Sequence, residues 1–137
     1  MRKFKFLEHT ADIKFQAYGK NLNEVFENSA YAMLNVLSES KIKSKIKKNI
    51  HVKGRDLENL LYNFLEELLF LFDSENFILS KIRKIKIDKK NFKLKAEITG
   101  DKSSNYKINL GIKAVTYNEM FVKKMKDKWV SQVVIDV

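Results

Sequence analysis

The segment from Leu57 to Phe72 constrains the fold of this chain more than any other. Its apolar residues recur at helical spacing and form one broad face, made of Leu57, Leu60, Leu61, Phe64, Leu65, Leu68, Leu69 and Phe72. Asp56 stands in the N-cap position before this run. A helix with so broad an apolar face must pack against a sheet or another helix, and any surplus would be a surface for a partner.

The same segment is also the longest apolar-rich stretch of the chain. It contains Glu58, Glu66 and Glu67 and is too short and too polar to span a bilayer, so we expect no membrane association. The N-terminus begins directly with strand-like alternation and shows no secretory signal pattern. The chain has no cysteine, which excludes disulfides, thiolate metal sites and a cysteine nucleophile. These features fit a reducing, cytoplasmic location.

A second amphipathic helix is predicted to start at Asn21 and to end at Ser38–Ser40. Asn21 and Glu24 have the spacing of a capping box. The apolar stripe comprises Leu22, Val25, Phe26, Ala30, Met33, Leu34 and Leu37. This pattern predicts a helix that covers one face of a sheet.

Alternation of apolar and polar residues predicts strands around these helices. The predicted strands are 4–7, 13–18, 50–53, 77–87, 92–98, 106–117, 120–122 and 129–137. Turns are predicted at 88–91, 118–119 and 126–128, and a loop at 99–105. The alternation changes phase between Ile82 and Ile85, which allows a β-bulge.

This order of elements predicts an α+β fold with two amphipathic helices on a mostly antiparallel sheet. A length of 137 residues with 45% hydrophobic residues indicates a single compact domain over 1–137. The strand-helix-strand rhythm recurs and would allow a structural duplication, although no sequence repeat is visible.

The formal net charge of +10 invites an RNA-binding interpretation. The densest basic run is Lys41–Lys48, which fits a strand edge, a loop or a phosphate-contacting arm, and exposed edge lysines also discourage aggregation. Elsewhere the lysines are dispersed, which is also typical of biased coding composition or of heat-adapted proteins. His51 alternates with Ile50 and Val52 and is predicted on the less buried face.

Motifs for nucleotide binding and hydrolysis are absent from the sequence: it has no Walker loop, dinucleotide fingerprint, HExxH or GxSxG. What remains is a group of oxygen ligands. Asp12 stands at the start of a strand, and Asp136 with the α-carboxylate of Val137 stands at the end of another. If those strands are neighbours, the oxygens converge and suit a hard cation such as Ca²⁺, Mg²⁺ or Mn²⁺. Acidic residues at strand ends also commonly meet water or an N-cap.

At these residues the chain resembles the archease family. The resemblance rests on segments that follow one another in the family's order: His9-Thr10-Ala11-Asp12-Ile13, 21–28, 60–69, 71–73, Lys113-Ala114-Val115-Thr116-Tyr117 and 129–137. Together these segments span nearly the whole chain.

The resemblance implies a protein cofactor, not an enzyme, that assists an RtcB-type tRNA-splicing RNA ligase. Such a cofactor promotes guanylylation of the ligase's active-site histidine, allows repeated turnover, and can broaden the nucleotide accepted. The family's metal site maps onto Asp12, Asp136 and Val137, with Ca²⁺ as the expected ion and His9 in a supporting role. Family members often carry histidines near the KAVTY-like segment, where this chain has 105–107 and 117–119 without histidine.

Two alternatives belong to other functional classes. An independent RNA-binding module would bind RNA in a salt-sensitive way without any ligase, through Lys41–Lys48. A chaperone-like scaffold would bind unfolded clients through exposed parts of the 57–72 face and would be indifferent to Asp12.

Overall fold

The computed structural model describes residues 2–8 and 11–137. Over these residues the chain forms seven β-strands, two α-helices and a short 3-10 turn at Ser103–Asn105. The elements are β1 (Phe4–Leu7), β2 (Ile13–Gly19), α1 (Leu22–Leu37), β3 (Ile46–Lys53), α2 (Leu57–Glu75), β4 (Phe77–Asp88), β5 (Lys93–Lys102), β6 (Ala114–Met125) and β7 (Lys128–Asp136).

The strands form two antiparallel sheets. One has four strands in the order β1-β2-β7-β6, and the other has three in the order β3-β5-β4. The predicted α+β fold is therefore confirmed, with two sheets where the sequence suggested one. The two strand-helix-strand units are not equivalent, because α1 connects the two sheets whereas α2 connects β3 and β4 on either side of β5.

Both predicted helix starts are confirmed by their capping hydrogen bonds. The Asn21 side chain accepts from the Glu24 N–H at 2.9 Å, and the Glu24 carboxylate accepts from the Lys20 N–H at 3.2 Å. The Asp56 carboxylate accepts from the Asn59 N–H at 2.7 Å. These bonds satisfy backbone donors that the first turn of a helix leaves unpaired.

The hydrophobic core lies between the helices and the sheets. The apolar face of α2 is used there, since Leu60, Leu61, Phe64 and Leu65 are all 0% exposed. Among the large apolar side chains of α2, that of Phe70 is the most exposed, at 51%. The helix therefore offers little of the spare apolar face that a client-binding scaffold would need.

The phase change predicted in β4 is confirmed as two register shifts against β5. They fall between Leu79 and Lys81 and between Ile82 and Lys84. The second shift lets both Ile82 and Ile85 face the core in spite of their odd spacing.

The strand predicted at 106–117 is wrong over 106–113, because Lys107 and Asn109 bond to the end of α1 and the segment lies outside both sheets. The Asn109 N–H donates to the Leu37 carbonyl at 2.7 Å, and the Ser38 hydroxyl donates to the Lys107 carbonyl at 2.8 Å. A helix end leaves carbonyl groups that need donors, and this segment supplies one.

Other boundaries move by a few residues. The predicted turn at 118–119 is wrong: β6 continues to Met125 with a bulge in which Glu119 has φ 54°. The predicted loop at 99–105 is partly wrong, because residues up to Lys102 pair within the sheet. The turn at 126–128 is confirmed, with Lys126 in the left-handed region.

Candidate functional site

The structure brings the ends of β2 and β7 together. The last pair of their ladder is Ile13 with Ile135, so Asp12 and Asp136 stand at the next position of the same register. Directly opposed residues of an antiparallel pair have α-carbons about 4.5–5.5 Å apart. The two aspartates lie where the two central strands of the four-stranded sheet meet at one end, a place called the acidic corner below, and both are half-buried.

Backbone geometry sets the approach to this corner. Ala11, directly before Asp12, has φ 69°, a left-handed conformation that residues with a Cβ rarely adopt. The chain therefore turns sharply just before Asp12 and enters β2 one residue later. His9, which was expected to support the metal site, and Thr10, which belongs to the same motif, lie outside the described residues.

The other strand end is fixed by main-chain contacts. Asp136 pairs with Ala114 of the neighbouring strand β6, and the Asp136 carbonyl accepts a hydrogen bond from the Lys113 N–H at 2.8 Å. The Val137 side chain is partly buried against the hydrophobic core. The segment Lys113–Tyr117 thus fixes the position of the end of β7, and with it the position of Asp136.

A broad cleft opens beside Asp12. Its volume is about 840 Å³, and its lining is Phe6, Leu7, Glu8, Asp12, Ile13, Asn35, Val36, Glu39, Asn109 and Leu110. The cleft therefore joins the N-terminal hairpin, the end of α1 and the segment that caps it. Phe6 is 44% exposed and Leu110 40%, so one wall presents apolar surface next to carboxylates.

The donor chemistry at the corner suits a hard cation. Asp12 and Asp136 supply carboxylate oxygens, and Val137 adds main-chain oxygen, which are ligand types that Ca²⁺ and Mg²⁺ prefer. Within residues 2–8 and 11–137, no group of three or more acidic or histidine side chains is arranged to hold a metal ion. A cation here would therefore complete its shell with main-chain oxygens and water.

Two acidic residues of α2 have structural roles that the sequence pattern did not indicate. The Glu66 carboxylate accepts from the Val115 N–H, and the Glu58 carboxylate accepts from the Val122 N–H, each at 3.0 Å. β6 is the edge strand of its sheet, so α2 covers that edge with carboxylates. The only sequence signal for this role is that the two glutamates are eight residues apart and so lie on one side of α2. Many solvent-exposed helices show the same spacing.

An aromatic stack lies between those glutamates. Tyr62 of α2 and Tyr117 of the bulged β6 stack with ring centroids 4.2 Å apart. The Tyr117 hydroxyl also accepts from the Asn59 side-chain amide at 2.6 Å. Burial, then the nearby Glu66 charge, raises the pKa of Tyr62 above its ordinary value. Tyr117 belongs to the segment 117–119, one of the two places where family members often carry a histidine and this chain does not.

The run Lys41–Lys48 is tied to the sheet and is not a free arm. The Lys43 N–H donates to the Tyr106 hydroxyl, and the Lys45 N–H donates to the Gly100 carbonyl. From Ile46 onward the run is part of β3.

The described part of the chain contains no helix long and apolar enough to cross a membrane.

The fold and its acidic corner define a class of protein: a small α+β protein with two sheets, in which an aspartate just before β2 lies beside the aspartate that ends β7. Residues 4–137 match the model of the Archease protein family (MTH1598/TM1083). A "Protein archease" from Sulfurisphaera tokodaii is 41% identical over 140 residues, covering 100% of both chains. Another, from Methanosarcina barkeri, is 41% identical over 141 residues, covering 99% of this chain and 97% of the relative.

A solved structure agrees with these sequence matches. The solution structure of Methanobacterium thermoautotrophicum protein 1598 superposes with a TM-score of 0.86 at 33% identity, covering 100% of both chains. The chain belongs to the archease family.

Proposed function

We propose that this protein is an accessory activator of an RtcB-type tRNA-splicing RNA ligase. It promotes guanylylation of the ligase, supports multiple turnover, and broadens the nucleotide that the ligase accepts. It acts as a protein cofactor without catalysing the reaction itself, in the cytoplasm. Family membership supports this role, and one observation carries the working site: Asp12 and Asp136 stand at the same position of adjacent strand ends.

In this proposal the acidic corner holds a divalent cation. Asp12, Asp136 and a main-chain oxygen of Val137 are the ligands, and Ca²⁺ is the expected ion, with Mg²⁺ or Mn²⁺ as substitutes. When bound, the ion supplies a fixed positive charge that offsets the two neighbouring carboxylates.

The corner is the part that docks beside the nucleotide site of the ligase. There the aspartate oxygens help to position the divalent ions that accompany a nucleoside triphosphate. The cleft next to Asp12 provides exposed apolar surface, at Phe6 and Leu110, on which a partner can pack.

The test is a guanylylation assay with purified ligase, GTP and no RNA. Wild type is compared with Asp12→Asn and Asp136→Asn, which keep side-chain size but remove the charge. Asp73→Asn is the matched control, because Asp73 is an exposed aspartate on α2, outside the corner. Both corner variants should lose at least about tenfold in stimulation, the scale of lost support at a metal site, and the control should not.

Calorimetric titration with CaCl₂ gives an independent readout of the same variants. The wild type and Asp73→Asn should bind the ion, and the two corner variants should bind it at least about tenfold more weakly. Normal stimulation by both corner variants would place the working surface elsewhere. Absence of stimulation by the wild type with its cognate ligase would contradict the activator role itself.

A further inference from the structure

The solvent face of the three-stranded sheet carries an array of lysines. The ladders place seven of them on the side away from the helices: Lys47, Lys53, Lys81, Lys84, Lys86, Lys93 and Lys95. All seven are exposed. The opposite face of the same strands carries buried residues such as Ile50, Leu94 and Ile98.

Basic residues stand directly across from one another on this face. Lys86 pairs with Lys95, and Lys95 pairs with His51, so one row across all three strands is basic. In the next row Lys93 pairs with Lys53 on one side and with Asp88 on the other. Like charges in directly opposed positions destabilise a sheet, so folding alone does not favour this arrangement.

Two carboxylates lie on the face, and both have partners. Glu97 is half-buried and forms an ion pair with Lys47, with nitrogen and oxygen 3.1 Å apart. The Asp88 carboxylate accepts hydrogen bonds from the Lys90 and Asn91 N–H groups of its own turn. The lysines at the centre of the array, Lys84, Lys86 and Lys95, border a shallow depression of about 550 Å³ together with His51.

Protection of sheet edges does not explain the pattern. Lysines on edge strands discourage aggregation, which accounts for those on β3 and β4. Lys93 and Lys95 lie on β5, the central strand, whose two edges are already paired. The second bulge of β4 also keeps Lys84 on the same face as Lys81.

The composition of the face selects the class of partner. The paired positions that form it hold no phenylalanine, tyrosine or tryptophan among the described residues. Stacking of single-stranded bases relies on such side chains, and the anchors of protein interfaces are enriched in them. Insertion at a membrane surface needs an apolar face as well. What remains is a regular polyanion, contacted through its phosphates.

We propose that this sheet face binds the sugar–phosphate backbone of double-stranded RNA. Lysines two residues apart along a strand are about 6.8 Å apart and neighbouring strands about 4.8 Å apart, so the array presents charges at a spacing that a phosphate backbone can meet repeatedly. The choice of RNA over DNA rests on the proposed function. The acidic corner belongs to the other sheet, so ligase docking and RNA contact use different surfaces.

The test is fluorescence anisotropy with a labelled RNA duplex, without ligase, over a range of KCl concentrations. The variant is Lys84→Gln/Lys86→Gln/Lys95→Gln. The control is Lys20→Gln/Lys107→Gln/Lys124→Gln, which removes the same charge from exposed lysines outside the face. The face variant should weaken binding at least about tenfold at 0.1 M salt and reduce the salt slope by about two to three, whereas the control changes affinity less than about threefold.

Equal weakening by both triple variants would overturn the proposal, because it would show a response to net charge alone. Failure of the wild type to bind the RNA duplex at low salt, or binding only to anionic lipid vesicles, would also overturn it. The RNA-free guanylylation assay separates this proposal from the previous one, since the face variant should stimulate the ligase as the wild type does.

Discussion

The rings of Tyr62 and Tyr117 stack nearly parallel, with an interplanar angle of 13° and centroids 4.2 Å apart. The stack joins the middle of α2 to the bulge of β6, between the two places where α2 glutamates accept β6 N–H groups. The stack therefore fixes α2 on the edge strand β6. Lys113, which directly precedes β6, donates to the Asp136 carbonyl.

We predict that the two tyrosines are energetically coupled. A double-mutant cycle with Tyr62→Ala and Tyr117→Ala, measured by urea unfolding, should give a coupling free energy of about 0.5–1.5 kcal/mol. Additive effects of the two alanine variants would contradict the coupling.

The hydrogen bond to Tyr117 can be tested separately. Tyr117→Phe should lower the free energy of unfolding by about 0.5–1.5 kcal/mol, because it keeps the stack but loses the hydrogen bond from Asn59. Tyr62→Phe is the control and should change stability by less.

Removal of the Glu66 carboxylate should destabilise the protein. Val115 is 2% exposed, so Glu66→Ala leaves its N–H without an acceptor in a buried position, at a cost of about 1–3 kcal/mol. Glu66→Gln keeps a side-chain oxygen and should cost less.

The neighbouring Glu67 provides the control for this prediction. Burial, then the charge of Glu75, raises the pKa of Glu67, which shows that its charged form is disfavoured in the folded protein. Glu67→Ala should therefore leave the free energy of unfolding within about 0.5 kcal/mol of wild type. An equal loss for Glu66→Ala and Glu67→Ala, again by urea unfolding, would rule out a specific role for the β6 contact.

Acid should destabilise the protein partly through Asp101. The Tyr106 hydroxyl, and then the Lys102 N–H, donate hydrogen bonds that hold the pKa of Asp101 below its ordinary value of 3.8. A carboxyl whose pKa is lower when folded contributes stability at pH values above 3.8, and this contribution is lost as pH falls through the folded pKa. Tyr106→Phe removes the main cause and should bring the pKa of Asp101 closer to 3.8.

The measurement is the midpoint of thermal unfolding between pH 2 and pH 7 for wild type, Tyr106→Phe and Asp101→Asn. Both variants should be less stable than wild type at neutral pH, and the differences should shrink as the solution becomes more acidic. A difference that stays constant down to pH 2 would show that Asp101 ionisation does not contribute.

Local sequence signals predicted the helices, their caps and the β4 bulge. The caps Asn21 and Asp56 and the odd spacing of Ile82 and Ile85 each involve neighbours within a few residues, and such relations are visible in the sequence. Tyr106 to Lys113 shows why the rest was not predictable. Its alternation suits a strand, but the main-chain groups of Lys107 and Asn109 bond to the end of α1, more than sixty residues earlier in the chain.

The candidate site divides in the same way. Asp12 and Asp136 could be singled out mainly because the family resemblance maps a metal site onto them, with their positions at strand ends as a weaker signal. The antiparallel ladder of β2 and β7 places them side by side. The roles of Glu58, Glu66 and Tyr117 depend on where α2 crosses β6, which no local pattern encodes. The lysine face required the strand registers, because only these show that Lys86, Lys95 and His51 share a row.

The most direct measurement is the number of ligation cycles that a cognate RtcB-type ligase completes with and without this protein, alongside the rate of its guanylylation by GTP. With wild-type protein, we expect faster guanylylation and many cycles for each ligase molecule, and with Asp12→Asn we expect neither. Ligase that guanylylates and turns over equally well without the protein would contradict the account.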